Sequence, residues 1–289
     1  MIDYLQQNPA LFITYIFLLG LLVGSFLNVV IHRLPIMMER QWHRQCTEFL
    51  KGEPPPAAEP FNLMVPGSRC PHCGHRIRAW ENIPVISYLW LKGKCAGCQA
   101  AISPRYPIIE LVSACAAVTV AWHFGVSWQT LAALVLTWSL IALTMIDYDH
   151  QLLPDDITLP MLWLGLAISL GGLFVDSASS LIGALAGYLS LWSVYIVFKL
   201  VTGKEGMGFG DFKLLAMLGA WLGWKMLPVI ILLSSLVGAL VGIALIVFCG
   251  REKTKPIPFG PYLAGAGWIA MLWGDGLLRL YLGKFATMG

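Results

Sequence analysis

The chain has 289 residues, of which 57% are hydrophobic and only 12% charged; an ordinary soluble domain carries about 25% charge. A soluble fold of this size cannot hide that much apolar surface, and the same composition excludes a disordered chain. Seven cysteines in so long a chain exclude a small disulfide scaffold, and a net charge of +3 gives no reason to expect a nucleic-acid partner. An all-α polytopic membrane protein is left.

Apolar runs occur at about Pro9–Ile31, Tyr106–Phe124, Trp128–Ile146, Ile157–Val175, Leu181–Phe198, Met226–Cys249 and Phe259–Leu278. Most are long enough for a membrane-spanning helix, which needs roughly 20 residues. A shorter run, Leu214–Trp224, is either an eighth span begun near Asp211 or half of a broken one, and about eight spans are expected. Residues 1–31 have no basic stretch before the apolar run and no small-residue cleavage site after it, so they are expected to be a retained first span. Residues 32–105 form the one large polar interruption, with a flexible stretch at Lys51–Pro60 around Pro54–Pro56, and 106–289 form the membrane-embedded core. No internal repeat is visible.

Lysine and arginine placement orients the chain. Residues 32–105 hold ten of the 19 basic residues, and with eight spans Lys199, Lys204, Lys213, Arg251, Lys253 and Lys255 fall on the same side. Only Lys225, Arg279 and Lys284 fall on the other. This bias predicts a cytoplasmic 32–105 domain and an N-terminus outside.

That domain reads Cys70-Pro-His-Cys73, then 21 residues, then Cys95-Ala-Gly-Cys98. Two such knuckles form a zinc-ribbon pattern: each offers two thiolates, and together they close a tetrahedron around a structural Zn2+. Two disulfides are the alternative, disfavoured in a reducing cytoplasm. Four thiolates leave no open position for catalysis, so His72, His75 and Cys46 are read as bystanders. Gly74 and Gly97 suit the tight turns, and Cys115 and Cys249 are read as packing residues within spans.

Charges in or beside spans are costly and need an explanation. Asp147 ends the Trp128–Ile146 run, with Asp149, Asp155 and Asp156 close behind. Asp211 follows in Gly206-Met-Gly208-Phe-Gly210-Asp211-Phe-Lys213. Taken singly, Asp147 is better read as a helix-ending charge and Asp211 as an N-cap. As a pair on one membrane face they suggest aspartic-protease chemistry, in which two carboxyls share one proton, one activating water and the other protonating the substrate carbonyl. Lys213 either orients or tunes Asp211 or simply marks the cytoplasmic interface. Asn28 is read as a helix contact, and Glu110 as a carboxylate that snorkels to the interface. A zinc-stabilised scaffold or transporter subunit would instead place its carboxylates near the bilayer midplane in repeated halves.

Over nearly its whole length the sequence resembles the type IV prepilin peptidases, or leader peptidase/N-methyltransferases. The blocks that carry the likeness are GSFLNVVIHRLP at Gly24–Pro35, CPHC and CAGC, ENIPVISYLWLKGKC at Glu81–Cys95, IDYDHQLLPD at Ile146–Asp155, GMGFGDFKLLAMLGAWLGW at Gly206–Trp224 and IPFGPYLAGAGW at Ile257–Trp268. The resemblance implies an inner-membrane aspartic protease with eight spans and catalytic residues Asp147 and Asp211. It implies cleavage of basic leaders from prepilins or pseudopilins at the cytoplasmic face, then methylation of the new N-terminal residue with S-adenosylmethionine. It puts Gly93 forward for methylation; a turn glycine is the alternative there, and Glu81 is either a substrate or cofactor contact or a surface carboxylate. A protease for general membrane substrates is the weaker enzymatic reading.

Overall fold

The computed structural model describes residues 2–52, 60–250 and 257–286. The proline run Pro54–Pro56 and the basic residues Arg251, Lys253 and Lys255 lie outside the described residues, as do the side chains of Cys249 and Lys284. Among the described residues ten α-helices follow in order: α1 (Ile2–Gln7), α2 (Pro9–Lys51), α3 (Ile86–Trp90), α4 (Arg105–Phe124), α5 (Trp128–His150), α6 (Asp155–Ser169), α7 (Ser177–Thr202), α8 (Phe209–Leu222), α9 (Leu227–Cys249) and α10 (Gly260–Ala286). Eight of these hold the apolar runs, and among the described residues five stretches are long and apolar enough to cross a membrane: α2, α4, α5, α7 and Trp224–Phe248. The short run Leu214–Trp224 belongs to α8, a helix of 14 residues that begins at Phe209. The chain divides into two compact units, one ending at Thr130 and the other starting at Leu131, within α5.

In the first unit α2 does not stop where its apolar run ends. It continues through Pro35 to Lys51, where Gly52 takes a left-handed conformation and donates its N–H to the Glu48 carbonyl. Beyond Ile31 the residues turn polar but remain good helix formers, so the amphiphilicity changes while the helix does not. Against it lies α4, and glycines set how close the two come. A Cβ on Gly20 would sit 2.6 Å from Ala114 Cα, and one on Gly24 would sit 2.7 Å from Glu110 Cα. Ser113 donates to the Gly20 carbonyl at 2.7 Å, and Asn28 to the Tyr106 carbonyl at 3.2 Å. Each four-residue step up α2 is matched by one down α4, so the pair is antiparallel, and Asn28 is a helix contact. Arg33 is buried without a carboxylate; its guanidinium donates to the carbonyls of Asn62 (2.9 Å) and Pro66 (2.6 Å), holding that segment against α2.

The second unit packs its helices by the same device. Gly183 of α7 and Gly219 of α8 face each other so closely that neither backbone would admit a Cβ, and Gly187 meets the Leu215 carbonyl in the same way. Ser180 donates to the Ala220 carbonyl at 2.5 Å. On the other flank of α8, Gly165 of α6 receives the Trp221 ring, whose indole N–H donates to the Met161 carbonyl at 2.7 Å. Helix α8 is thus buried along nearly its whole length, from Asp211 to Leu222.

Candidate active site and metal centre

Helix α5 carries Asp147 in its last turn, and Gln151, with φ of 53°, closes the helix by donating to the Asp147 carbonyl at 2.9 Å. Asp147 is buried and Asp149 exposed, as their two-residue separation on a helix requires. Helix α8 starts after Gly208, so Asp211 is a first-turn residue rather than the N-cap; it too is buried. Both come to one pocket, because Gly260, which donates to Asp147, and Gly210, the neighbour of Asp211, pack on the same Leu153 side chain.

Three glycines assemble the pocket. The Gly260 amide, at the start of α10, donates to Asp147 Oδ2 at 3.0 Å. A Cβ on Gly260 would meet that oxygen at 2.6 Å, and one on Gly210 would meet Leu153 Cβ at 2.7 Å. Leu153 also lies 3.1 Å from the Cβ position of Gly260, so it wedges between the backbones beside the two aspartates. Gly208 lies beside Asp211 Oδ2, at 3.7 Å from its Cβ position. Asp211 Oδ1 is buried with no hydrogen-bond partner among the described residues. Neither Gly260 nor Leu153 was singled out from sequence. A glycine opening a helix was the available signal, but nothing local tied it to a carboxylate more than a hundred residues away. Gly260→Ala is expected to push Asp147 off its amide and cut catalytic turnover at least tenfold with little change in thermal stability, checked by kinetics and a melting curve.

Lys213 does not serve Asp211. Its ammonium lies 2.7 Å from both carboxylate oxygens of Asp155, joining the first turns of α6 and α8. The non-helical segment 151–154 separates α5 from Asp155, which meets Lys213 rather than entering the dyad. Glu110 does not snorkel either: it is buried, accepts the Val85 N–H at 2.8 Å and receives a hydrogen bond from Ser25.

In the first unit the four cysteine sulfurs all lie within 4.8 Å of one another. Cys70 and Cys98 are 3.8 Å apart, and Cys73 and Cys95 4.0 Å. Tetrahedral Zn–S bonds of about 2.3 Å put sulfurs at about that separation, whereas a disulfide needs about 2 Å. The set therefore fits zinc. Amides of Cys73 and His72 lower the Cys70 thiol to about 7, and amides of Cys98 and Gly97 lower Cys95. Cys73 receives the His75 amide, yet desolvation and its neighbouring thiols push it up to about 12. A divalent cation is what would let sulfurs this crowded ionise together.

The knuckles are copies of each other, a short repeat that residue identities conceal. Gly74 and Gln99 donate to the carbonyls of Cys70 and Cys95 at 2.9 and 3.0 Å. Both residues are left-handed, and bridges pair Arg69 with Arg76 and Lys94 with Ala101 at the same offset. The left-handed position of the second knuckle is thus Gln99. Gly97 instead faces His75, whose Cβ lies 3.1 Å from the Cβ position of Gly97. His75 pairs with Glu81 at 3.1 Å, so both residues brace the first knuckle. Gly93, with φ of 68°, donates to the Tyr88 carbonyl and accepts from the Ile102 amide beyond the second knuckle, so both its backbone polar groups are used.

Fold and site together define a polytopic helical membrane protein with a buried aspartate pair and a four-cysteine cluster. Residues 18–124 match the Bacterial Peptidase A24 N-terminal domain, and residues 134–243 match the Type IV leader peptidase family. The chain is 61% identical over 287 residues to a prepilin leader peptidase/N-methyltransferase of Stutzerimonas stutzeri, with 99% of each chain covered. It is 60% identical to the protein of that name from Pseudomonas aeruginosa, covering 98% of this chain and 97% of the other. The corresponding protein of Dichelobacter nodosus is 53% identical, covering 97% and 98%. No solved structure matches. The chain belongs to the type IV leader peptidase family.

Proposed function

We propose that this protein is a prepilin leader peptidase/N-methyltransferase that removes the basic leader of type IV prepilins or pseudopilins at the cytoplasmic face of the inner membrane and methylates the new N-terminus. The buried approach of Asp147 and Asp211 carries the proteolytic assignment, because two carboxyls brought from separate helices need a shared proton or a reaction to justify them. Asp147 Oδ2 accepts the Gly260 amide. That oxygen is therefore not the proton carrier, and Asp147 is assigned the role of base that takes a proton from water. Asp211 Oδ1, without a partner, is free to carry the proton and give it to the carbonyl oxygen of the scissile bond. The glycines at 206, 208 and 210 leave room for an extended substrate backbone beside Asp211. Exposed Asp149 and Asp156 add negative potential suited to a basic leader, and Asp155 is engaged by Lys213.

Cys70, Cys73, Cys95 and Cys98 are proposed to hold a structural Zn2+ in the cytoplasmic domain of residues 32–105, between a first span (1–31) and the protease core (106–289). The orientation rests on the lysine and arginine bias. S-adenosylmethionine is the proposed methyl donor and would supply the methyl group for transfer to the free amine. Gly93 is put forward for this half as the residue that sets the Tyr88 ring beside the second knuckle. Incubating the purified protein with a prepilin and S-adenosylmethionine, and weighing the products, tests the reading: a shortened pilin carrying one methyl group is expected. An uncut precursor would refute the peptidase, and a cut but unmethylated product the methyltransferase.

A further inference from the structure

The four-cysteine unit carries an apolar surface that neither activity uses. On α3, Ile86, Leu89 and Trp90 share one face, and exposed Ile83 precedes it, its carbonyl accepting the Ser87 amide at 3.0 Å. Leu89 is 68% and Trp90 83% exposed, and Trp80 stands nearby at 63%. Surface patches of large apolar side chains mark an interaction site.

What lies against this patch is set by the attachment of α3. Its first residue follows Val85, whose amide is held by buried Glu110 of α4. The antiparallel register of α2 and α4 puts Glu110 opposite Gly24, seven residues before the apolar run of α2 ends at Ile31. At 1.5 Å per residue that is about 10 Å inside the level where α2 turns polar. Helix α3 is therefore tethered at the depth of the membrane spans, with its apolar face turned away from its own unit. The surrounding charge has the sign that anionic headgroups attract. From Pro60 to Arg105 there are six basic residues against one acid, Glu81, and Glu81 is occupied by His75 and the Arg78 amide. Lys92 and Lys94 follow the apolar face directly, and the Arg78 guanidinium stacks over the Trp80 ring at 5.3 Å. An apolar face with aromatic and basic neighbours is what an interfacial segment needs.

We propose that Ile83, Ile86, Leu89 and Trp90, flanked by Trp80, form a membrane-docking face that seats the four-cysteine unit in the headgroup–acyl boundary at the start of α4. The face binds phospholipid, and Glu110 is the buried post that fixes its depth.

Photo-crosslinking in the full chain tests this. A benzophenone amino acid is placed at Leu89 or Trp90, at Leu240 as a lipid-exposed span control, and at His72 on the exposed first knuckle. The proteins are reconstituted in vesicles of phosphatidylethanolamine and phosphatidylglycerol, irradiated and weighed intact. Phospholipid adducts at Leu89 and Trp90 approaching those at Leu240, and at least fivefold above His72, are expected. Yields at the His72 level, or adducts to a second copy of the chain instead of lipid, would overturn the proposal. Glu110→Gln keeps an acceptor for Val85 and is expected to keep the adducts, while Glu110→Leu should lower them severalfold at unchanged metal content. Equal yields in both variants would remove Glu110 as the post.

Discussion

Asp147→Asn is expected to lower the rate of leader cleavage by at least about 10³-fold, and Asp211→Asn to do the same, with both proteins still folded and inserted. The magnitude is that of losing a positioned acid or base, about 10²–10⁴-fold, at a site where neither partner can replace the other. An amide is nearly the same size as a carboxyl, so the glycine contacts at Gly260 and Gly208 should survive and thermal stability should change little. The double variant should be barely slower than either single one, because residues acting as a unit are not additive. Single-turnover cleavage of a prepilin by the purified variants measures this. Near-normal cleavage by either would separate that aspartate from the chemistry and leave its burial unexplained.

The second large effect is expected at the cysteines. The native protein should hold one zinc per chain, and Cys70→Ser or Cys95→Ser should release it. These two are the buried members of the cluster, and a serine hydroxyl there is a poor replacement for a thiolate. Structural zinc contributes about 10–16 kcal/mol in small domains at neutral pH. Otherwise the knuckles are held by isolated bridges, short turns and the His75–Glu81 pair. Limited proteolysis between Pro60 and Arg105 should therefore become fast in both variants, while metal analysis gives the stoichiometry. Asp147→Asn should keep its zinc. Full protease resistance in a zinc-free Cys70→Ser protein would show that side-chain packing alone holds the fold.

The residues that stand out in the sequence are those whose chemistry is costly in their setting. Asp147 and Asp211 stood out because carboxylates near apolar runs demand a reason, and the four cysteines because their spacing matches an ion. What sequence could not supply were pairings across distance. Lys213 sits two residues from Asp211 yet bonds Asp155, because a helix turns neighbours apart and brings another helix close. Glu110 was read as an interfacial charge because its burial depends on Gly24 and Val85, which lie on separate segments. The knuckle repeat escaped notice because the shared feature is backbone conformation, held by glycine in one copy and glutamine in the other. The extension of α2 was hidden for a simpler reason: loss of apolarity ends a span without ending a helix.

Helices α6 and α8, joined at their first turns by Asp155 and Lys213, run to only 15 and 14 residues. At 1.5 Å per residue each is about 22 Å long, while a bilayer core is about 30 Å thick. The helix that carries Asp211 is thus too short to cross a bilayer core, but protein, not lipid, lies along it, because α6, α7 and α10 pack around it. Its length answers to those neighbours, so membrane thickness is met by the longer helices such as α7 and α9. The aspartate on α8 is thereby insulated from the acyl chains: its surroundings are set inside the protein.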